Sequence, residues 1–276
     1  MKFNTKPLII IDAGHGVETA GKRSPLWADG SQLLEYAYNR SIARAVQQRL
    51  KDADFDARLL VTDDHDLPLQ ARCRRANEWI LDHKQHGGIE AERLLVSIHV
   101  NAYEQSTPTP SMVFTPPPGS PVWRGRATLK GGESTSPHVS IQRDSKSFPL
   151  GEDLGEASSP SLGGGWGEAS GWEAYVCGSN ANTRCLALEL YRQAAEQLPT
   201  AFPIRTATGD HRKGHPLRPK TANFYILRYS NCPAVLTENL FMTNATDCAF
   251  LLSADGREVI TDIHVQAVTN YLKNRM

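Results

Sequence analysis

Four side chains able to hold a metal or move a proton each stand at the end of an apolar run. His15 follows Ile9-Ile10-Ile11-Asp12-Ala13-Gly14, and Glu35 follows Leu33-Leu34. His99 follows Leu94-Leu95-Val96-Ser97-Ile98, and Glu238 follows Ala234-Val235-Leu236-Thr237. Two imidazoles and one carboxylate, with a second carboxylate close by, form the donor set of a catalytic zinc site that keeps its fourth position open. Such chemistry needs all four groups in one place.

The runs themselves suggest how they meet. Three of them, rich in Ile, Val and Leu, read as buried strands of a parallel or mixed sheet. Open α/β sheets bind ligands beyond the carboxyl ends of their strands, so His15, His99 and Glu238 are expected to converge on one edge. Glu35 is expected on a helix that begins near Ser31, a residue type suited to the N-cap. Leu34, Ala37, Tyr38, Ile42, Ala45, Val46 and Leu50 recur at spacings of three and four, as on a one-sided helix. Glu35 would then lie in the first turn, near the positive end of the helix dipole.

Beyond these, strands are predicted over 57–61, 172–176 and around 224–227, and helices over 67–83, 182–198, 244–252 and 257–274. Strands alternating with helices imply one three-layer α/β domain, a mostly parallel or mixed sheet flanked by helices. The stretch from Glu104 to Ser170 is foreign to this pattern: of its 67 residues, 9 are Pro, 10 Gly and 12 Ser. It cannot bury enough apolar surface to offset its ordering entropy. It is expected to be a disordered surface insertion, which costs little closure entropy however long it is.

Length and charge narrow the function. A chain of 276 residues can build a full core. Thirty basic and thirty acidic residues balance, so no nucleic-acid or membrane partner is expected to be drawn in by charge. No apolar run approaches the ~20 residues needed to span a bilayer. The segment from Met1 to Pro7 runs directly into Leu8 to Asp12, which reads as a first strand and not as a signal peptide. Cys73, Cys177, Cys185, Cys232 and Cys248 are odd in number and lack CxxC spacing, against a disulfide framework or a zinc ribbon.

Taken with their flanks, these motifs resemble the zinc-dependent N-acetylmuramoyl-L-alanine amidases of the AmiC/CwlV type. The resemblance is carried by Ile11-Asp12-Ala13-Gly14-His15-Gly16, Glu35 on the next helix, Ser97-Ile98-His99-Val100-Asn101-Ala102 and Pro233-Ala234-Val235-Leu236-Thr237-Glu238. Leu69 to Asn77, Gly171 to Val176 and Phe241 to Asn244 also match. It implies a phosphorylase/hydrolase-like fold, zinc held by His15, Glu35 and His99, and Glu238 as general acid/base. The implied substrate is peptidoglycan, cut at the amide between the lactyl group of N-acetylmuramic acid and L-alanine. Action at the cell wall or periplasm by a monomer with a shallow, open groove would follow. The insertion after the His99 strand departs from the family.

Rival readings remain open at this stage. His15-Gly16-Val17-Glu18 with His99 imitates the ligand order of zinc carboxypeptidases, which would make Glu18 the ligand. A wall-binding module without turnover is a further alternative. His211 and His215, broken by Gly214 and followed by Pro216, are expected on a basic surface loop that could meet substrate carboxylates. His65, His83, His86, His138 and His264 read as ordinary surface residues. Trp123, Trp166 and Tyr225 could stack on sugars or serve in packing.

Overall fold

A computed structural model of the chain describes residues 5–103 and 169–274. The first part supplies β1 (Leu8–Ala13), α1 (Glu35–Asp52), β2 (Asp56–Leu59), α2 (Leu69–Gln85) and β3 (Arg93–Asn101). The second supplies β4 (Glu173–Val176), α3 (Ala181–Gln197), β5 (Arg205–Thr206), β6 (Gly209–Asp210), β7 (Lys220–Thr221), α4 (Tyr225–Tyr229), β8 (Ala234–Phe241), α5 (Ala245–Leu252) and α6 (Ala254–Lys273).

Six strands form one sheet in the order β2-β1-β3-β8-β4-β7. The first four run parallel, and β4 reverses against β8. The sheet is therefore mixed and flanked by helices, as expected. Every residue of β1 is buried because both faces are covered, which explains its unbroken apolar run. Ile9, Ile11, Val96, Ile98 and Val235 pack with Leu50 of α1, Leu190 of α3 and Ile263 of α6. On the other face Leu8, Ile10, Leu95 and Leu236 meet Ala76 and Ile80 of α2 and Ile226 and Leu227 of α4. Each such buried aliphatic side chain contributes about 1.5–3 kcal/mol through transfer out of water.

Helix α1 buries Tyr38, Ile42, Val46 and Leu50, the spacing read from the sequence. Its start is later than expected. Ser31 does not cap it; its hydroxyl and N–H both bond Asp29. The helix instead begins at Glu35, whose N–H donates to the Lys22 carbonyl at 3.0 Å, beside a bridge pairing Arg23 with Leu34. Backbone pairing with the 22–24 loop thus sets where Glu35 stands.

Other expectations need correcting. Residues 224–227 were expected as a strand, but Phe224 is the N-cap and 225–227 the start of the short helix α4, where adjacent Ile226 and Leu227 turn into the same core. A short apolar run does not distinguish the two states. His83 and His264 are buried and not on the surface. Tyr225 stacks on Tyr229 with ring centroids 4.4 Å apart. All five cysteines are free. No helix among the described residues is long and apolar enough to cross a membrane. The described residues all fall within one compact unit. The expected insertion, with Trp123, His138 and Trp166, lies outside the described residues except for Ala169 and Ser170.

Candidate metal centre

The carboxyl ends of β1, β3 and β8 bring the expected residues together. Past Ala13, the Gly14 N–H extends the ladder by donating to the Ile98 carbonyl at 3.0 Å. Gly14 lies so close to the His99 ring that a Cβ there would collide with it. His15 follows in the left-handed region, with φ 63°, a conformation uncommon outside glycine. Two arginines, each only 2% exposed, hold that turn from below. Arg40 donates to the carbonyls of Ala13 (3.0 Å) and His15 (2.6 Å). Arg72 donates to the Ala13 carbonyl and to Asp12 Oδ1, both at 2.8 Å. The other Asp12 oxygen accepts from Ser97 Oγ at 2.7 Å. Burial pushes the Asp12 carboxyl up, but Arg72 and Ser97 outweigh it and hold the group below the usual carboxylate range.

Register places the next two residues. His99 on β3 pairs with Glu238 on β8, and Glu238 pairs with Glu173 on β4. Directly opposed residues share a sheet face, so these three side chains form a row across three strands. Glu35 reaches the His99 end of that row from α1. Its Oε1 accepts the Val100 N–H at 3.1 Å and Asn39 Nδ2 at 3.2 Å, which fixes the carboxylate.

His15, Glu35 and His99 are the one cluster of metal-type donors found among the described residues, with ligand atoms all within 4.8 Å of one another. Glu35 Oε1 lies 3.4 Å from His15 Nε2 and 3.4 Å from His99 Nδ1. Donors held at the ~2.0–2.2 Å of zinc coordination in a tetrahedron stand about 3.4 Å apart. The protonation states agree with this. Burial lowers the proton affinity of both imidazoles and outweighs the pull of Glu35, so they are neutral near pH 7. Burial also pushes Glu35 up, but His99, His15 and Lys22 hold its pKa at about 2. Neutral imidazoles and an ionised carboxylate are the forms that bind a divalent ion. The donor set fits zinc.

Glu238 differs. It is 7% exposed, and its Oε2 is buried with no hydrogen-bond partner among the described residues. Burial, reinforced by Glu35 and Glu173, raises its pKa well above the usual carboxylate range. A buried carboxyl one strand from the candidate metal donors is placed for acid/base work. Among the described residues it forms no ion pair with an arginine.

Glu18 is not part of the cluster. It is exposed, and its carboxylate bonds the His65 ring and the Asp66 N–H. His65 and His86 are exposed, as expected. His211 and His215 share no helix face, since His211 lies in a single turn ended by Gly214 at φ 92°. Arg40, Arg72 and Glu173 were not assigned a role from sequence. One signal was present: Arg72, Ala76, Ile80 and His83 recur at helical spacing on the buried face of α2, which marks Arg72 as an inward-facing charge.

The chain matches the family model described as N-acetylmuramoyl-L-alanine amidase over residues 9–270. It is 24% identical to the uncharacterized protein YqiI of Bacillus subtilis, covering 95% of this chain and 84% of that one. It is 25% identical to the N-acetylmuramoyl-L-alanine amidase LytC of the same organism; the match covers 95% of this chain and 35% of LytC. The crystal structure of an N-acetylmuramoyl-L-alanine amidase from Clostridium difficile 630 superimposes with a TM-score of 0.62 at 19% identity, covering 99% of this chain and all of that one.

Proposed function

Because this chain belongs to the N-acetylmuramoyl-L-alanine amidase family, we propose that it hydrolyses the lactyl–L-alanine amide of peptidoglycan with zinc held by His15, Glu35 and His99. The observation that carries this reading is the convergence of those three donors within 4.8 Å, with Glu238 one strand away. When bound, zinc supplies a Lewis acid for the amide carbonyl and lowers the pKa of water towards ~7. Glu238 takes the proton from the attacking water and returns it to the leaving nitrogen, a role worth ~10²–10⁴ in rate. Asn39 and the Val100 N–H keep the Glu35 carboxylate aimed, and Arg40 and Arg72 hold the His15 turn. The enzyme acts as a monomer on wall polymer outside the cytoplasm.

The test is release of soluble stem peptides from purified cell walls by the zinc-loaded protein. Glu238→Gln is expected to lower the rate at least 100-fold while elemental analysis still finds one zinc per chain. Undiminished release by that variant would remove Glu238 from the reaction.

A further inference from the structure

Glu173, the third member of the row, is not accessible at all (0% exposed) and lies one strand beyond Glu238. Its carboxylate is fully engaged. Oε1 accepts from Asn101 Nδ2 at 2.9 Å and from the Tyr175 hydroxyl at 2.7 Å. Oε2 accepts from Arg205 Nε at 2.9 Å and from Lys220 Nζ. With its acceptor sites filled, Glu173 holds two long cations at fixed positions. One anion against two cations leaves a net positive charge.

Neither cation is used up. Arg205 also reaches the Ser170 carbonyl at 3.5 Å through Nη1, and its Nη2 makes no hydrogen bond among the described residues. A guanidinium carries five N–H donors and an ammonium three, so donors remain on both. The side chains are 27% and 17% exposed, enough to offer those donors to a ligand. Tyr175 and Phe241 lie beneath them as rings, 5.6 Å from Lys220 Nζ and 5.2 Å from the Arg205 guanidinium.

We propose that Lys220 and Arg205, held by Glu173, form a subsite for a carboxylate on the peptide released by the reaction. This rests on the amidase reading above. Glu238 protonates the leaving nitrogen, so the departing peptide lies on the Glu238 side of the metal donors. Continuing along the row, the next groups it meets are Glu173 and its two cations. Strands are spaced about 4.8 Å apart, which puts the subsite about 10 Å from the His99 strand. An extended peptide covers that distance in about three residues. The ligand is therefore a carboxylate on the second or third residue of the stem, counting the alanine as first. Paired cations with spare donors favour a bidentate or bridged anion over a neutral amide.

The experiment uses two soluble N-acetylmuramoyl-L-alanyl tripeptides that differ only in carrying free carboxylates or carboxamides on residues two and three. The zinc-loaded full chain is expected to favour the free acid at least tenfold in kcat/KM, mainly through KM. Lys220→Met and Arg205→Gln are each expected to reduce that ratio severalfold, and Lys220→Arg to retain it. If a variant does not fold, the wild-type ratio decides, together with its decline as salt is raised to 0.5 M. Equal cleavage of both peptides by the wild type overturns the subsite and leaves the amidase reading standing. Cleavage of neither overturns both.

Discussion

His15 stands at φ 63° and Leu240, two residues beyond Glu238, at φ 65°. Among the described non-glycine residues only Asp54 shares that region. Each such conformation costs roughly 1 kcal/mol, and strain of this kind gathers where surrounding contacts over-determine a functional geometry. At His15 those contacts are the arginine bonds to its carbonyl; at Leu240 they are complete burial and a register shift between β3 and β8. The rival ligand, Glu18, faces solvent and is held by the His65 ring and the Asp66 N–H, outside the donor cluster. Glu35→Ala is therefore expected to strip zinc from the dialysed protein, whereas Glu18→Ala keeps one ion per chain. Metal content by elemental analysis checks both, and the opposite pattern would restore the carboxypeptidase order of ligands.

At the scale of elements, the turn after β1 depends on α1 and α2 as much as on the strand. Arg72 comes from the first turn of α2 and meets Asp12 where both are almost wholly buried. Removing one partner of such a pair leaves an uncompensated charge and costs about 3–5 kcal/mol. Arg72→Leu should therefore lower the unfolding free energy of the metal-free protein by about that amount, and adding Asp12→Asn should recover part of it. Urea unfolding of the single and double variants measures this; equal stabilities for the two would show that Asp12 carries no unpaired charge. The sequence could name these helices, since their apolar stripes follow a simple period. It could not show the clamp, because the acceptors are backbone carbonyls of Ala13 and His15, which leave no trace in residue type. The start of α1 escaped for the same reason: a backbone bond from Glu35 to Lys22 does what a side-chain cap was expected to do. The clustering of the candidate site residues was legible because strand ends and ligand chemistry coincide at them.

Across the whole molecule, a polar chain ties the metal-side strands to the last helix. Trp172 Nε1 donates to Asn239 Oδ1 at 2.9 Å, and Asn239 Nδ2 donates to the His99 carbonyl at 2.9 Å and to Thr237 Oγ1 at 3.2 Å. Thr237 Oγ1 lies 2.9 Å from His264 Nε2 on α6, and His264 Nδ1 lies 2.7 Å from the Ile260 carbonyl. A carbonyl only accepts, so Nδ1 carries the proton and Nε2 receives the Thr237 hydroxyl. His264 is thus satisfied as a neutral imidazole at 0% exposure. Burial lowers its pKa to about 4, and the Ile260 bond recovers little. The sequence disguised it as a surface residue because a single histidine on an amphipathic helix looks the same on either face. Between the unfolded value of about 6.5 and the folded value, the unfolded chain binds one more proton, so stability rises with pH. The His264 contribution is complete above about pH 6.5 and lost as pH falls towards 4, a change of about 3 kcal/mol. His15 and His99, also depressed by burial, add to the same trend. The informative quantity is therefore the difference between wild type and His264→Gln, both metal-free, in urea unfolding from pH 7.5 to 4.5. The wild type is expected to lose stability more steeply, by up to about 1.4 kcal/mol per pH unit within the window. Parallel pH profiles would mean that the α6 histidine ionises in the folded protein as readily as in the unfolded one.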